Sequence, residues 1–176
     1  KPLGLGSYGF LPALNRHILP SGYGNPQEME MIKAFGVQYH GFRPLSQPII
    51  GQVHDGNSWH AFSGVSGHAG IFSNLDGVQK LGQHYLSTAS ALKQSAMREQ
   101  TSGRGLGFEV GEMYPEGCGH TGFTGTSLYL SKSLGIGCAI LSNRCFYQDT
   151  DHKLTNPFRL QAHKLVADYA QKAGAS

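Results

Sequence analysis

Between residues 105 and 142 the apolar residues stop recurring at helical spacing and begin to alternate, and that switch constrains the fold more than any other feature. Leu106, Phe108 and Val110 alternate with smaller or polar residues, which predicts a strand near 105–112. His120–Thr126, Ser127–Ser131 and Ile136–Ser142 predict further strand-like runs, with Ser133-Leu134-Gly135 as the turn between the last two. Such short runs joined by turns can pair only as antiparallel neighbours, because a parallel pair needs a crossover of about a dozen residues or more.

Helical signals flank this meander. Asn74 or Ser73 can cap a helix over 75–88, with Leu75, Val78, Leu81 and Tyr85 on one face. A weaker helical piece follows at 89–99, and a short one is expected at 27–34. Asn156-Pro157 sets an N-cap before a proline at the first helical position. The final helix, 157–172, then puts Leu160, His163, Val166 and Ala170 on one stripe, with Tyr169 beside it. Six of the eight prolines fall in the first 50 residues, which read as extended, turn-rich connection. The fold class is α+β, with no internal repeat and no interdomain linker.

Composition narrows the function. The chain has 176 residues, the length of one domain, and a formal net charge of +3, too small to imply nucleic acid. No apolar run reaches the roughly 18 residues of a membrane span. Twenty-five glycines without a period, among recurring aromatics, exclude collagen-like and disordered chains. The start at Lys1 shows no signal region, so either something upstream was removed or the chain begins inside a domain. Cys118, Cys138 and Cys145 cannot all pair within one chain, and a buried free thiol is expected at Cys138.

Two stretches carry chemistry. Gly119-His120-Thr121-Gly122-Phe123-Thr124-Gly125-Thr126 is too rich in glycine to pack well as a strand. Close approach of a ligand to the backbone is one explanation, with threonine hydroxyls and His120 as polar partners. A bulged edge strand is the other. The second stretch runs from His54-Asp55-Gly56-Asn57 to Gly64–Ser73 and reads as a buried loop held by His and Asp hydrogen bonds. His54, Asp55, His60, His68 and His120 could be weighed as metal ligands, but no His-x-x-x-His pattern accompanies them, so no metal and no cofactor are assigned. Lys153, Arg159, Lys164 and Lys172 read as a solvated face of the last helix, and Trp59 either lines a cleft or anchors a loop.

In order along the chain, Lys1-Pro2-Leu3-Gly4-Leu5, Gly51-Gln52-Val53-His54-Asp55, Gly64–Ser73, Gly105-Leu106-Gly107-Phe108 and Gly119–Thr126 with Leu141-Ser142-Asn143-Arg144 resemble the later part of the serine beta-lactamase and penicillin-binding-protein-like hydrolases. The likeness is nearest to penicillin-binding protein 4B-like enzymes and to beta-lactamase-like modules fused to glycosidases. It implies an antiparallel sheet flanked by helices, with residues 1–176 forming the C-terminal portion of a single such domain. It also implies that His120-Thr121-Gly122 stands for the family's Lys-Thr-Gly motif. His120, Thr121, Gly122 and Thr124 would then bind substrate, and the Phe123 backbone N–H would serve as an oxyanion donor.

The family's nucleophile, a serine in Ser-x-x-Lys, and its Tyr-x-Asn motif both precede the Pro-Leu-Gly segment, so the resemblance leaves this chain without a nucleophile. Ser90-Ala91-Leu92-Lys93 and Tyr23-Gly24-Asn25 match those patterns in the wrong order. Chance alone supplies about 0.7 and about 0.3 such matches. The implied chemistry is serine acyl transfer on D-amino-acid peptides, beta-lactams or small esters, in the periplasm or cell envelope. The alternatives are a non-catalytic module that binds peptidoglycan or a protein partner, and metal-assisted hydrolysis. Half a sheet leaves an edge unpaired, so the expected partners include a missing N-terminal half or a second copy.

Overall fold

The computed structural model describes residues 8–14, 17–146 and 152–174. The opening Lys1-Pro2-Leu3-Gly4-Leu5, one carrier of the resemblance, lies outside the described residues. The chain divides into two compact units, one built mainly from Ser7–Ser73 and the other from Asn74–Ser142 with the last helix.

In the first unit, β1 (Tyr8–Gly9) pairs antiparallel with β2 (Phe72–Ser73). Neither was expected, because two residues are too few to show a period. Helix α1 (Pro26–Ala34) starts with proline at its first position, and the Asn25 side chain accepts from the Glu28 N–H at 3.1 Å. Helix α2 (Gly56–Phe62) is capped by Asp55, which accepts from the Ser58 N–H at 2.7 Å. Ser63 ends it in the left-handed region at φ 50°. Ile49 and Val53 are buried hydrophobic side chains of this unit.

The second unit is a sheet between helices. Helix α3 (Leu75–Leu86) is capped by Asn74, whose Oδ1 accepts from the Gly77 N–H at 2.9 Å, and α4 (Ala91–Ala96) follows. Strands β3 (Glu109–Val110), β4 (Cys118–Thr121), β5 (Ser127–Ser131) and β6 (Ile136–Ile140) form one antiparallel sheet in sequence order. Helix α5 (Thr155–Gly174) closes the unit.

Strand pleating separates the two faces. Cys118 and Leu130 pack with Ala96, Phe108, Tyr85 and Leu86, the α3 and α4 side. Tyr129 packs with Tyr114 and Ala167, the α5 side. Helix α3 approaches β5 through Gly82, where a Cβ would stand 3.0 Å from Leu130 Cδ2. The fold is therefore α+β, a four-stranded antiparallel sheet flanked by helices, as the alternation predicts. Beyond β6 no described strand continues the sheet.

Four expectations need correction. The strand near 105–112 shrinks to two residues because Gly107 turns at φ 82° and residues 105–106 lie against α4, with the Leu106 N–H donating to Ala96 O at 2.9 Å. The run His120–Thr126 is strand only to Thr121. On α5, Arg159 belongs to the buried stripe with His163 and Ala167, while Tyr169 is 76% exposed. None of the three cysteines is in a disulfide; Cys118 is the buried one, and Cys138, expected to be buried, is half-buried. No helix among the described residues is long and apolar enough to cross a membrane.

Candidate functional site

The candidate site is the β4–β5 hairpin. Its register sets Cys118 opposite Leu130, Gly119 opposite Tyr129, His120 opposite Leu128 and Thr121 opposite Ser127. On the other edge β3 reaches only Cys118 and Gly119. No described strand covers His120–Thr121 there, so their main-chain groups form the open end of an otherwise paired strand.

Gly122 through Gly125 make the turn. The Gly125 N–H donates to Gly122 O at 3.1 Å, and the Gly122 N–H donates to Thr126 O at 2.6 Å. Gly125 has φ 127°, and a Cβ on Gly122 would overlap Thr126 Oγ1, so the glycines here are set by turn geometry. Phe123 and Thr124 are the corner residues; Phe123 is 48% exposed.

Alternation sends His120 to the α3 side with Cys118 and Leu128, and Thr121 to the α5 side with Ser127. A ligand along the open edge would meet main chain first, with one of these side chains on each face. His120 is exposed, and its Nδ1 lies 2.8 Å from Thr121 O. That carbonyl can only accept, so Nδ1 carries the proton and Nε2 is the ring acceptor.

The residue that sequence reasoning missed is Arg159. It is 2% exposed, and its Nη2 donates to Gly122 O at 2.8 Å and Thr126 O at 2.9 Å. Its Nη1 donates to Asn156 Oδ1 at 2.8 Å, so Asn156 orients the guanidinium from within the first turn of α5. One signal was present: Arg159, His163 and Ala167 recur every four residues, so a charge sat on the buried stripe. Beside this clamp, His163 donates through Nδ1 to Met113 O at 2.8 Å, leaving Nε2 to accept from Ser127 Oγ at 3.3 Å. Burial holds the His163 imidazole below its ordinary value, hence neutral. Ser127 and His163 are both buried and act as packing.

The other candidate pairs serve structure. Ser90 precedes α4, and the Lys93 ammonium contacts His84 Nε2. Tyr23 packs against Phe146 at 5.4 Å between ring centroids, and Asn25 caps α1. In the 54–73 stretch, His68 Nε2 lies 3.1 Å from Asp55 Oδ1 and 3.3 Å from Ser58 Oγ. A hydrolytic triad needs one ring nitrogen for each partner, and here one nitrogen meets both. Ser58 is fully buried, so this cluster fastens the loop onto α2. His54 is held down to about 4 by burial and then by the Arg43 guanidinium, and stays neutral. Among the described residues no three His, Cys, Asp or Glu side chains gather closely enough to hold a metal ion.

Comparison with known proteins finds distant relatives. The chain is 26% identical over 166 residues to an N-acetylmuramyl-L-alanine amidase of Bacillus subtilis (strain 168), a match covering 82% of this chain and 37% of that protein. It is 29% identical over 170 residues to "Putative D-alanyl-D-alanine carboxypeptidase" of Salmonella agona (strain SL483), covering 82% of this chain and 38% of the relative. A protein of the same name from Salmonella newport (strain SL254) matches equally. The chain thus spans less than two-fifths of the length of these curated relatives. No protein-family model matches it, and no solved structure does.

Proposed function

We propose that this chain is the C-terminal portion of a cell-wall hydrolase that cleaves amide bonds in peptidoglycan peptides, acting in the cell envelope. The observation that carries the reading is the open edge of β4 at His120–Thr121, running into a turn held from below by Arg159. An extended peptide can lie along such an edge and bond to its main chain. The relatives' names support the substrate class: one is an N-acetylmuramyl-L-alanine amidase and the other a "Putative D-alanyl-D-alanine carboxypeptidase".

The finer reading is serine acyl transfer of the beta-lactamase and penicillin-binding-protein type. In this reading His120, Thr121, Gly122 and Thr124 contact the substrate, and the Phe123 N–H donates to the developing oxyanion. Such a donor, fixed by a rigid turn, lowers the barrier without reorganising. The nucleophile then belongs to the rest of a longer protein, consistent with the relatives' greater length. A second strand-bearing segment, or a second copy of the chain, would pair along β6.

Two measurements test this. Titration of the ¹⁵N-labelled chain with a D-Ala-D-Ala pentapeptide is expected to shift the amides of Thr121 to Thr124, and shifts confined elsewhere would overturn the placement. A fluorescent penicillin is expected to leave the isolated chain unlabelled. Labelling that disappears in Ser90→Ala would move the nucleophile into this chain.

A further inference from the structure

Away from the hairpin, three titratable side chains of the first unit meet end to end. Glu28 on α1, His60 on α2 and Tyr39 between those helices form the line. Glu28 Oε1 lies 2.7 Å from His60 Nε2, and the Tyr39 hydroxyl lies 3.0 Å from His60 Nδ1. A carboxylate only accepts, so Nε2 carries the imidazole proton and Nδ1 is the acceptor. The Tyr39 O–H therefore donates to Nδ1. Unlike His68, this histidine uses one nitrogen for each partner.

Burial is graded along the line. The Glu28 side chain is 12% exposed and that of His60 29%, while Tyr39 is 40% exposed. The carboxylate end is shielded and the hydroxyl end reaches solvent. Two glycines make room for the ends. A Cβ on Gly56 would overlap the Glu28 carboxylate, and one on Gly41 would overlap the Tyr39 hydroxyl. Phe42 steadies the tyrosine ring edge-on, with centroids 4.9 Å apart. Alongside, the Arg43 guanidinium lies 5.1 Å over the Trp59 ring, so the wall next to His60 is fixed.

We propose that Glu28–His60–Tyr39 is an acyl-transfer relay with Tyr39 as nucleophile and activated esters as its substrate class. The layout is that of a hydroxyl, a base and an orienting acid. A phenol gives up its proton more readily than a serine hydroxyl, which eases the first step. The Tyr39 oxygen attacks the ester carbonyl carbon while its proton passes to His60 Nδ1. Glu28 balances the imidazolium charge. The C–O bond to the leaving group breaks, the alcohol or phenol departs with the proton, and an O-acyl tyrosine remains. Water then attacks that ester, giving one proton to His60, which returns it to the Tyr39 oxygen as the carboxylic acid leaves. Esters with good leaving groups, which depend least on oxyanion stabilisation, suit it best.

The test uses the whole chain with p-nitrophenyl acetate. An initial burst of p-nitrophenol is expected, with one acetyl group on Tyr39 by peptide mass spectrometry. Tyr39→Phe should abolish the burst, and Glu28→Gln should slow it about tenfold or more, within the usual reach of base catalysis. Should Glu28→Gln not fold, His60→Gln, which leaves the carboxylate an amide donor, should slow the burst as strongly. Acetyl groups found only on lysines, or a burst unchanged in Tyr39→Phe, would overturn the proposal. The β4 reading stands or falls on pentapeptide and penicillin binding instead, so the two outcomes are separable.

Discussion

Arg159 and Gly122 are joined by a 2.8 Å hydrogen bond from a buried guanidinium to the carbonyl that opens the hairpin turn. The same Nη2 reaches Thr126 O at the turn's other end, so one nitrogen closes both sides of the loop. The turn is thereby referenced to α5 rather than left to its own backbone bonds.

Arg159→Met removes those donors and leaves each carbonyl with only its backbone N–H partner from the turn. Hydrogen bonds from a charged group contribute about 1.5–3 kcal/mol each when one side is deleted. A loss of about 3 kcal/mol in urea denaturation is expected, with faster hydrogen exchange at Gly125. Unchanged exchange would show that the turn holds without its clamp.

Gly119→Ala puts a methyl group into Leu128 O and the Tyr114 ring. The carbonyl is backbone and cannot step aside, so overpacking should cost about 2–3 kcal/mol. Chemical denaturation measures it, with Gly9→Ala, a strand position where a Cβ meets nothing within 4 Å, as the near-neutral control.

His54 gives the fold a pH dependence of definite sign. Its folded value of about 4 lies below 6.5, so between those limits the unfolded chain binds more protons. The stability is present above about pH 6.5 and is lost as pH falls toward 4, on the order of 3 kcal/mol. Burial of His163 acts in the same direction. The urea midpoint should fall between pH 7 and pH 4.5, and His54→Gln should flatten that slope.

The Cys118 thiol is fully buried and pushed up to about 11, so little thiolate forms near neutral pH. A disulfide reagent at pH 8 should modify it only on global unfolding. Native labelling of Cys118 ahead of Cys145 would contradict that burial.

How far the sequence carried depended on the range of the forces at work. Ser127–Ser131 follows from alternation and a tight turn, both local, and β5 has those bounds. Asn74 signalled the start of α3 because capping is settled within three residues. The strand near 105–112 failed because Gly107 turns and the backbone bonds to α4, which no period reveals. At the candidate site, Gly122 and Gly125 were visible as unusual, but their cause, the hairpin turn, was not. Arg159 lies more than 30 residues from the carbonyls it holds, and a lone arginine reads as surface until its stripe is shown to be buried. Glu28, Tyr39 and His60 come together only through tertiary packing, so no spacing announces them.

Among the described residues, strand β6 has a neighbour only in β5. On the side away from β5 no described strand takes up the backbone donors and acceptors of Ile136–Ile140, and hydrogen bonds of that kind carry no sequence information. A cognate segment and an unrelated β-prone chain therefore compete for one rail, told apart only by side-chain fit. The concentration at which this protein stays single is consequently a property of whatever else can reach that rail, as much as of the protein itself.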